Sequence, residues 1–125
     1  MSGRKSRNKG ARGEREWAKF LTDKGFFAHR GRQYQGGADS PDVVCKALGG
    51  ISFEVKRVEN FSAYDALLQS TTDAGERIPI VAHRKNGKPW IVVLDADVFF
   101  ERFIKLYVGE LQEVLPKPEA KSSRK

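Results

Sequence analysis

The stretch Pro41-Asp42, followed by Ile51-Ser52-Phe53-Glu54-Val55-Lys56, decides the fold. Residues 51–56 alternate strictly. Ile51, Phe53 and Val55 face one way and Ser52, Glu54 and Lys56 the other, which is the period of a half-buried strand. The alternation sets a carboxylate beside an ammonium group on one face. Asp42, separated from Glu54 by eleven residues, opens a second apolar run, Val43-Val44-Cys45, that also reads as a strand. Two carboxylates at the mouths of adjacent strands, with a lysine beside them, suit a divalent cation next to a phosphate. Mg²⁺ takes carboxylate oxygens, keeps waters and accepts phosphate oxygens at its other positions. A solvated strand face and a Pro-Asp turn are the plainer reading of the same residues, so their surroundings must decide.

Working outward, residues 11–24 read as a helix, with Trp17, Ala18, Phe20 and Leu21 on one side and Gly25 as its stop. A first strand is expected over 26–30. Residues 31–40 form a polar, glycine-rich loop without the spacing of a phosphate cradle. Strands at 42–45 and 51–57 are expected to form a hairpin through Gly49-Gly50. A second helix starts near Ser62, where Ser62 and Asp65 have capping-box spacing and Phe61 can pack on the first turn. Its expected inner stripe is Tyr64, Leu67, Leu68 and Thr71, and Gly75 ends it. Strands at 78–83 and 90–94 flank Asn86-Gly87, a hairpin turn signal. Asp95 caps a last helix through Val98, Phe99, Phe100, Phe103, Ile104 and Tyr107. The order α-β-β-β-α-β-β-α predicts an α/β layer architecture.

At 125 residues the chain is expected to be one domain with one core, and 39% hydrophobic against 31% charged residues is a globular composition. No apolar run reaches membrane-spanning length, and the basic N-terminus has no apolar segment behind it, so no signal peptide and a cytoplasmic setting (a host's, if viral) are expected. The single cysteine, Cys45, excludes a disulfide framework and reads as a buried thiol. Two distant histidines, His29 and His83, argue against a histidine-rich metal site. The net charge of +7 is concentrated: residues 1–10 carry net +4 and residues 116–125 net +3, so the remainder is neutral. The expected organisation is a basic flexible arm at 1–9, a folded domain at 10–115 and a basic flexible tail at 116–125. Such tails suit a polyanion, with salt-sensitive and sequence-independent contacts.

The first helix supplies a separate signal. At 100° per residue, Glu14 shares a face with Trp17, Ala18 and Leu21, whereas Glu16 points about 160° away from it. A carboxylate at the edge of an apolar stripe is poorly solvated and needs a cation or metal as partner. Attraction to the positive end of the helix is the alternative account. Glu16 is expected to matter far less than Glu14.

Taken together, Pro41-Asp42…Glu54-Val55-Lys56 resembles the PD-(D/E)XK nuclease signature. Lys9-Gly10-Ala11-Arg12-Gly13-Glu14-Arg15-Glu16, at the start of a helix, is similar to the archaeal-type Holliday junction resolvases, and the likeness runs over about residues 8–95. The resemblance implies a restriction-endonuclease-like fold, a mixed central sheet flanked by helices. It also implies a homodimeric, Mg²⁺-dependent endonuclease of four-way DNA junctions, with Mn²⁺ as a substitute and no small-molecule cofactor. By the same likeness Asp42 and Glu54 match the metal-binding carboxylates, Lys56 the catalytic lysine, Glu14 the first-helix glutamate and Arg30 a phosphate contact. The loop 31–40 and the C-terminal helix and tail depart from the pattern.

Phosphodiester chemistry then suggests roles. Asp42, Glu54 and the Val55 carbonyl would hold the metal, with Glu14 directly or through water. Lys56 would position the attacking water or meet transition-state charge. Arg30 and Arg32 would grip a neighbouring phosphate, with Lys9, Arg12 and Arg57 as further DNA contacts and Gln69 and Ser40 as accessory candidates. The dimer surface is expected among Phe99, Phe100, Phe103, Ile104 and Tyr107, with Trp90 or its strand neighbours. Two other readings compete: a restriction-like or nicking enzyme of the same superfamily on duplex or flap DNA, and a non-catalytic DNA-binding module. A pure binder needs no carboxylates facing DNA, which counts against the second.

Overall fold

The computed structural model describes residues 2–31 and 42–114, and the side chains of 10–31 and 42–111. The expectations for Arg32, Ser40, Pro41, the Lys9 side chain and the tail at 116–125 lie outside the described residues. In chain order the elements are α1 (Ser2–Asp23), β1 (His29–Arg30), β2 (Val43–Val44), β3 (Ile51–Arg57), α2 (Ala63–Ala74), β4 (Ile78–Arg84) and β5 (Ile91–Val93). A helical run follows: α3 (Ala96–Phe99), a π segment (Phe100–Ile104) and α4 (Lys105–Val114). Among the described residues no helix is long and apolar enough to cross a membrane.

Helix α1 begins at Ser2, well before the expected Ala11. Arginine and lysine are good helix formers and no proline interrupts 2–9, so nothing in that segment stops the helix. At the other end Gly25, at φ 102°, forms a Schellman cap: Phe26 N–H donates to the Leu21 carbonyl and Gly25 N–H to that of Thr22. Ala28 N–H donates to Thr22 Oγ1 at 2.9 Å, which turns the chain back along the helix into β1.

The expected hairpin between 42–45 and 51–57 does not form. β2 pairs antiparallel with β1, and β3 pairs in parallel with β4. A Gly-Gly hairpin turn needs positive φ, yet Gly49 sits at φ −62° and closes a 3-10 turn over Lys46–Leu48. β3, α2 and β4 therefore make a parallel crossover unit, and β5 adds antiparallel to β4 in the order β3-β4-β5. This mixed sheet flanked by helices is the α/β, restriction-endonuclease-like architecture expected. The β4–β5 hairpin also forms as expected, with Gly87 at φ 74° and Lys88 N–H donating to the Lys85 carbonyl.

Helix α1 covers one face of the sheet. Trp17, Ala18 and Leu21 pack with Ala28, Val43, Cys45 and Ala82, with Phe53, Val55 and Trp90 at the edges. The Trp17 ring lies 5.3 Å from Phe53 and 4.9 Å from Trp90. Trp90 is thus part of this core and is withdrawn from the expected dimer surface.

Helix α2 covers the other face, against β3 and β4, but not with the expected stripe. It buries Ala66, Ser70 and Ala74, one per turn, while Tyr64 and Leu68 are 88% and 68% exposed. Small side chains let the helix approach the fully buried Val81 of β4 closely. The Phe61 ring, before the helix, stacks on His83 at 3.9 Å.

The chain forms two compact units, Met1–Leu94 and Asp95–Lys125. In the second, the Asp95 carboxylate accepts from Asp97 N–H and Val98 N–H, the expected cap. Phe99, Phe100 and Tyr107 remain exposed, together with Leu106, Val108 and Leu111.

Candidate active site

The period of two on β3 divides its side chains between the helices. Phe53, Val55 and Arg57 face α1, where a Cβ built on Gly13 would lie 2.6 Å from the Arg57 Cβ. Glu54 and Lys56 therefore face α2, as the alternation of residues 51–56 predicts. Lys56 Nζ lies 3.6 Å from Glu54 Oε2 and donates to Gln69 Oε1 of α2 at 3.4 Å. Gln69, an accessory candidate, is thus brought to the lysine.

The β1–β2 pair delivers the other residues. Its ladder continues past Arg30↔Val43 with Gly31 N–H donating to the Asp42 carbonyl at 2.8 Å, so Arg30 and Asp42 open the same end. Glu14, on α1, receives the Arg30 Nε–H at 2.8 Å. The Glu14 side chain is 14% exposed, and the cation that its place on the apolar stripe required is Arg30. His29 is exposed on β1 with Nδ1 against the Arg30 carbonyl.

Electrostatics tie the carboxylates together. Burial pushes the Glu14 carboxyl above its ordinary value of 4.5; the hydrogen bond from Arg30 pulls it down, and the charge of and hydrogen bond to Asp42 push it up again. Glu54 is raised first by burial, is lowered by Lys56, and is raised further by Asp42 and by Asp73 of α2. Asp42 thus opposes ionisation of both glutamates, a repulsion that a cation would relieve.

Among the described residues no three histidine, cysteine, aspartate or glutamate side chains form a ready-made metal cage. Mg²⁺ does not require one: it binds through one or two carboxylates, waters and substrate phosphate. Asp42 and Glu54, hard oxygen donors whose charges oppose each other, suit that ion. The only cysteine is buried on the α1 side, with Sγ 3.8 Å from the Phe26 carbonyl.

Arg57 and Glu16 lie on the other face of the sheet. Arg57 shares neither face nor partners with Lys56; its Nε–H donates to Glu16 Oε1 at 2.8 Å. Glu16 is a hub, which also meets Arg84 at 3.5 Å and Arg12 at 3.5 Å. Sequence reasoning missed Arg84 because its alignment with Arg57 follows from the β3–β4 register, in which the two are paired. It missed Asp73 because the phase expected for α2 was wrong.

With this geometry in place, comparison with known proteins identifies one family. The family model described as archaeal Holliday junction resolvase (Hjc) matches residues 5–108, beyond the expected 8–95 and into α4. No curated protein and no solved structure matches the chain significantly.

Proposed function

Since the chain belongs to the archaeal Holliday junction resolvase family, we propose that it cuts four-way DNA junctions by paired, symmetric, Mg²⁺-dependent nicks as a homodimer. Nuclease activity and a branched DNA substrate follow from the family. The metal, the pairing of the nicks and the dimer are what this reading adds. One observation supports the metal: Asp42 opposes the ionisation of Glu14 and Glu54, and Lys56 stands 3.6 Å from Glu54.

When bound, Mg²⁺, or Mn²⁺ in its place, makes a ligated water acidic and neutralises charge on the phosphate; Asp42, Glu54 and the Val55 carbonyl would hold it. The other work falls to side chains. Lys56, steadied by Gln69, donates to a non-bridging oxygen of the scissile phosphate and meets the charge that builds there. Arg30, oriented by Glu14, grips the neighbouring phosphate. Glu14 thus acts through Arg30.

The test compares a four-way junction with linear duplex and flap DNA, with Mg²⁺, with Ca²⁺ and in EDTA. Paired nicks in the junction, dependent on Mg²⁺ or Mn²⁺, are expected. Asp42→Asn, Glu54→Gln and Lys56→Ala should lose cleavage. The two carboxylate variants should keep junction affinity, because removing negative charge near phosphate does not weaken binding. Full cleavage by either carboxylate variant would sink the assigned site, and single nicks in plain duplex would point to a nicking enzyme of the same superfamily.

A further inference from the structure

On the α1 side of the sheet, away from Lys56, three arginines gather on one carboxylate. Glu16 Oε1 accepts the Arg57 Nε–H at 2.8 Å and lies 3.5 Å from Arg84 Nη1, and Glu16 Oε2 lies 3.5 Å from Arg12 Nε. Asn86, in the β4–β5 turn, accepts from Arg57 Nη2 at 3.1 Å, and its own N–H donates to Glu59 at 2.8 Å. Arg12, Arg57, Glu59 and Asn86 line a hollow of about 140 Å³.

A clamp between α1 and β3 needs one arginine for Glu16. Here three guanidinium groups face two carboxylates, Glu16 and Glu59, and the Arg12 side chain is 72% exposed. Each guanidinium carries five N–H donors in a rigid fork suited to phosphate oxygens. Two carboxylates do not use them all. Exposed Lys85 and Lys88 in the adjoining turn add to the positive field.

We infer that this cluster is a second phosphate grip, which takes a backbone phosphodiester of the DNA arm flanking the one being cut, and that Glu16 is its positioning residue. The inference rests on the junction-nuclease reading for its substrate. Among the described residues no ring lines the hollow to stack on a base, which favours backbone over nucleotide recognition. The Glu59 carboxylate disfavours a doubly charged phosphate monoester more than a singly charged diester. Placement supports contact with two arms of one junction: Lys56 and Arg57 are the last two residues of β3, about 3.8 Å apart at Cα, and point to opposite faces of the same sheet end.

The test is the salt dependence of junction binding, with folding checked by thermal melting. Losing one neutralised phosphate changes the slope of log affinity against log salt by about 0.9, or about eightfold in affinity at 0.1 M salt. Arg12→Gln and Arg84→Gln should each weaken binding and flatten the slope by about that amount. Glu16→Gln should do the same in a folded protein, by releasing the arginines. Glu59→Gln keeps an acceptor for Asn86 and removes a negative charge, so it should tighten binding. A mere clamp predicts lower melting temperatures with unchanged slopes. Unchanged slopes in folded Arg12→Gln and Arg84→Gln would overturn the grip even if the wild type resolves junctions normally. Flattened slopes on linear duplex would uphold it even if the wild type cut no junction, so the two readings fail separately.

Discussion

Glu54 carries its charge under opposition, and that has a measurable sign. Burial raises its carboxyl above 4.5, Asp42 and Asp73 add to the rise, and Lys56 only partly offsets it. Between 4.5 and the raised value the folded chain holds more protons at this site than the unfolded chain. Stability therefore falls as pH rises through that window, by about 1.4 kcal/mol for each unit of the rise. Glu54→Gln should melt like the wild type near pH 4 and above it near pH 8. Mg²⁺ should raise the wild-type melting temperature at pH 8 and leave that of Glu54→Gln nearly unchanged. A variant less stable than the wild type at pH 8 would show that the Lys56 contact outweighs burial. At this scale much was legible. Period two alone puts Glu54 and Lys56 together, and period 3.6 puts Glu14 at the edge of the apolar stripe. Glu16 was not legible, because its partners Arg57 and Arg84 stand far along the chain on strands whose pairing the residue pattern leaves open.

Helix α1 positions Glu14 and Glu16 because Gly13 lets it lie against β3. A methyl group there would sit 2.6 Å from the Arg57 Cβ and 3.6 Å from Val55 Cγ1, atoms close to the β3 backbone that cannot swing aside. Gly13→Ala gains about 1 kcal/mol of helix propensity. Forcing apart a close-packed contact costs about 1–3 kcal/mol. The loss should win, giving a net destabilisation of about 1 kcal/mol by urea unfolding, and junction cleavage should fall as Glu14 and Arg30 shift. Wild-type stability and activity in this variant would mean the helix can slide without consequence. The same close approach explains where element-level reading succeeded and failed. Two caps were legible, Gly25 and Asp95, which act as their residue types suggest; the expected capping box did not form, because the Ser62 hydroxyl donates to the Asp65 carboxylate instead of capping a backbone N–H. The inner face of α2 was not. Large apolar residues suggested Tyr64, Leu67 and Leu68, but the crossover packs tightly enough that Ala66, Ser70 and Ala74 are inside. The Gly49-Gly50 hairpin failed because Gly49, at φ −62°, closes a 3-10 turn and β2 pairs with β1, a choice of partner that depends on the whole fold.

A four-way junction presents two equivalent strands for cutting, whereas each chain brings together one set of Asp42, Glu54 and Lys56. A two-fold dimer supplies two sites in the matching symmetry. The helical run from Ala96 to Val114 leaves Phe100, Leu106 and Tyr107 at 57%, 68% and 60% exposed, with Phe99, Val108 and Leu111 less so. A monomeric soluble helix rarely leaves such a band in water, and a contiguous patch of this kind usually marks a protein interface. The π segment at Phe100–Ile104 widens the helix within that band, as such segments often do at functional surfaces. Light scattering at micromolar concentration should therefore report about twice the 14.1 kDa chain mass. Phe100→Asp with Tyr107→Asp should yield a folded monomer, because both side chains are exposed in the single chain. That monomer should nick one strand of a junction and release it before the opposing cut, so linear products give way to nicked ones. Leu68→Asp, on the exposed face of α2, serves as the comparison. A dimer that survives the double substitution and dissociates with Leu68→Asp would move the symmetry axis to α2, and a wild-type monomer that still makes paired nicks would refute the preformed dimer.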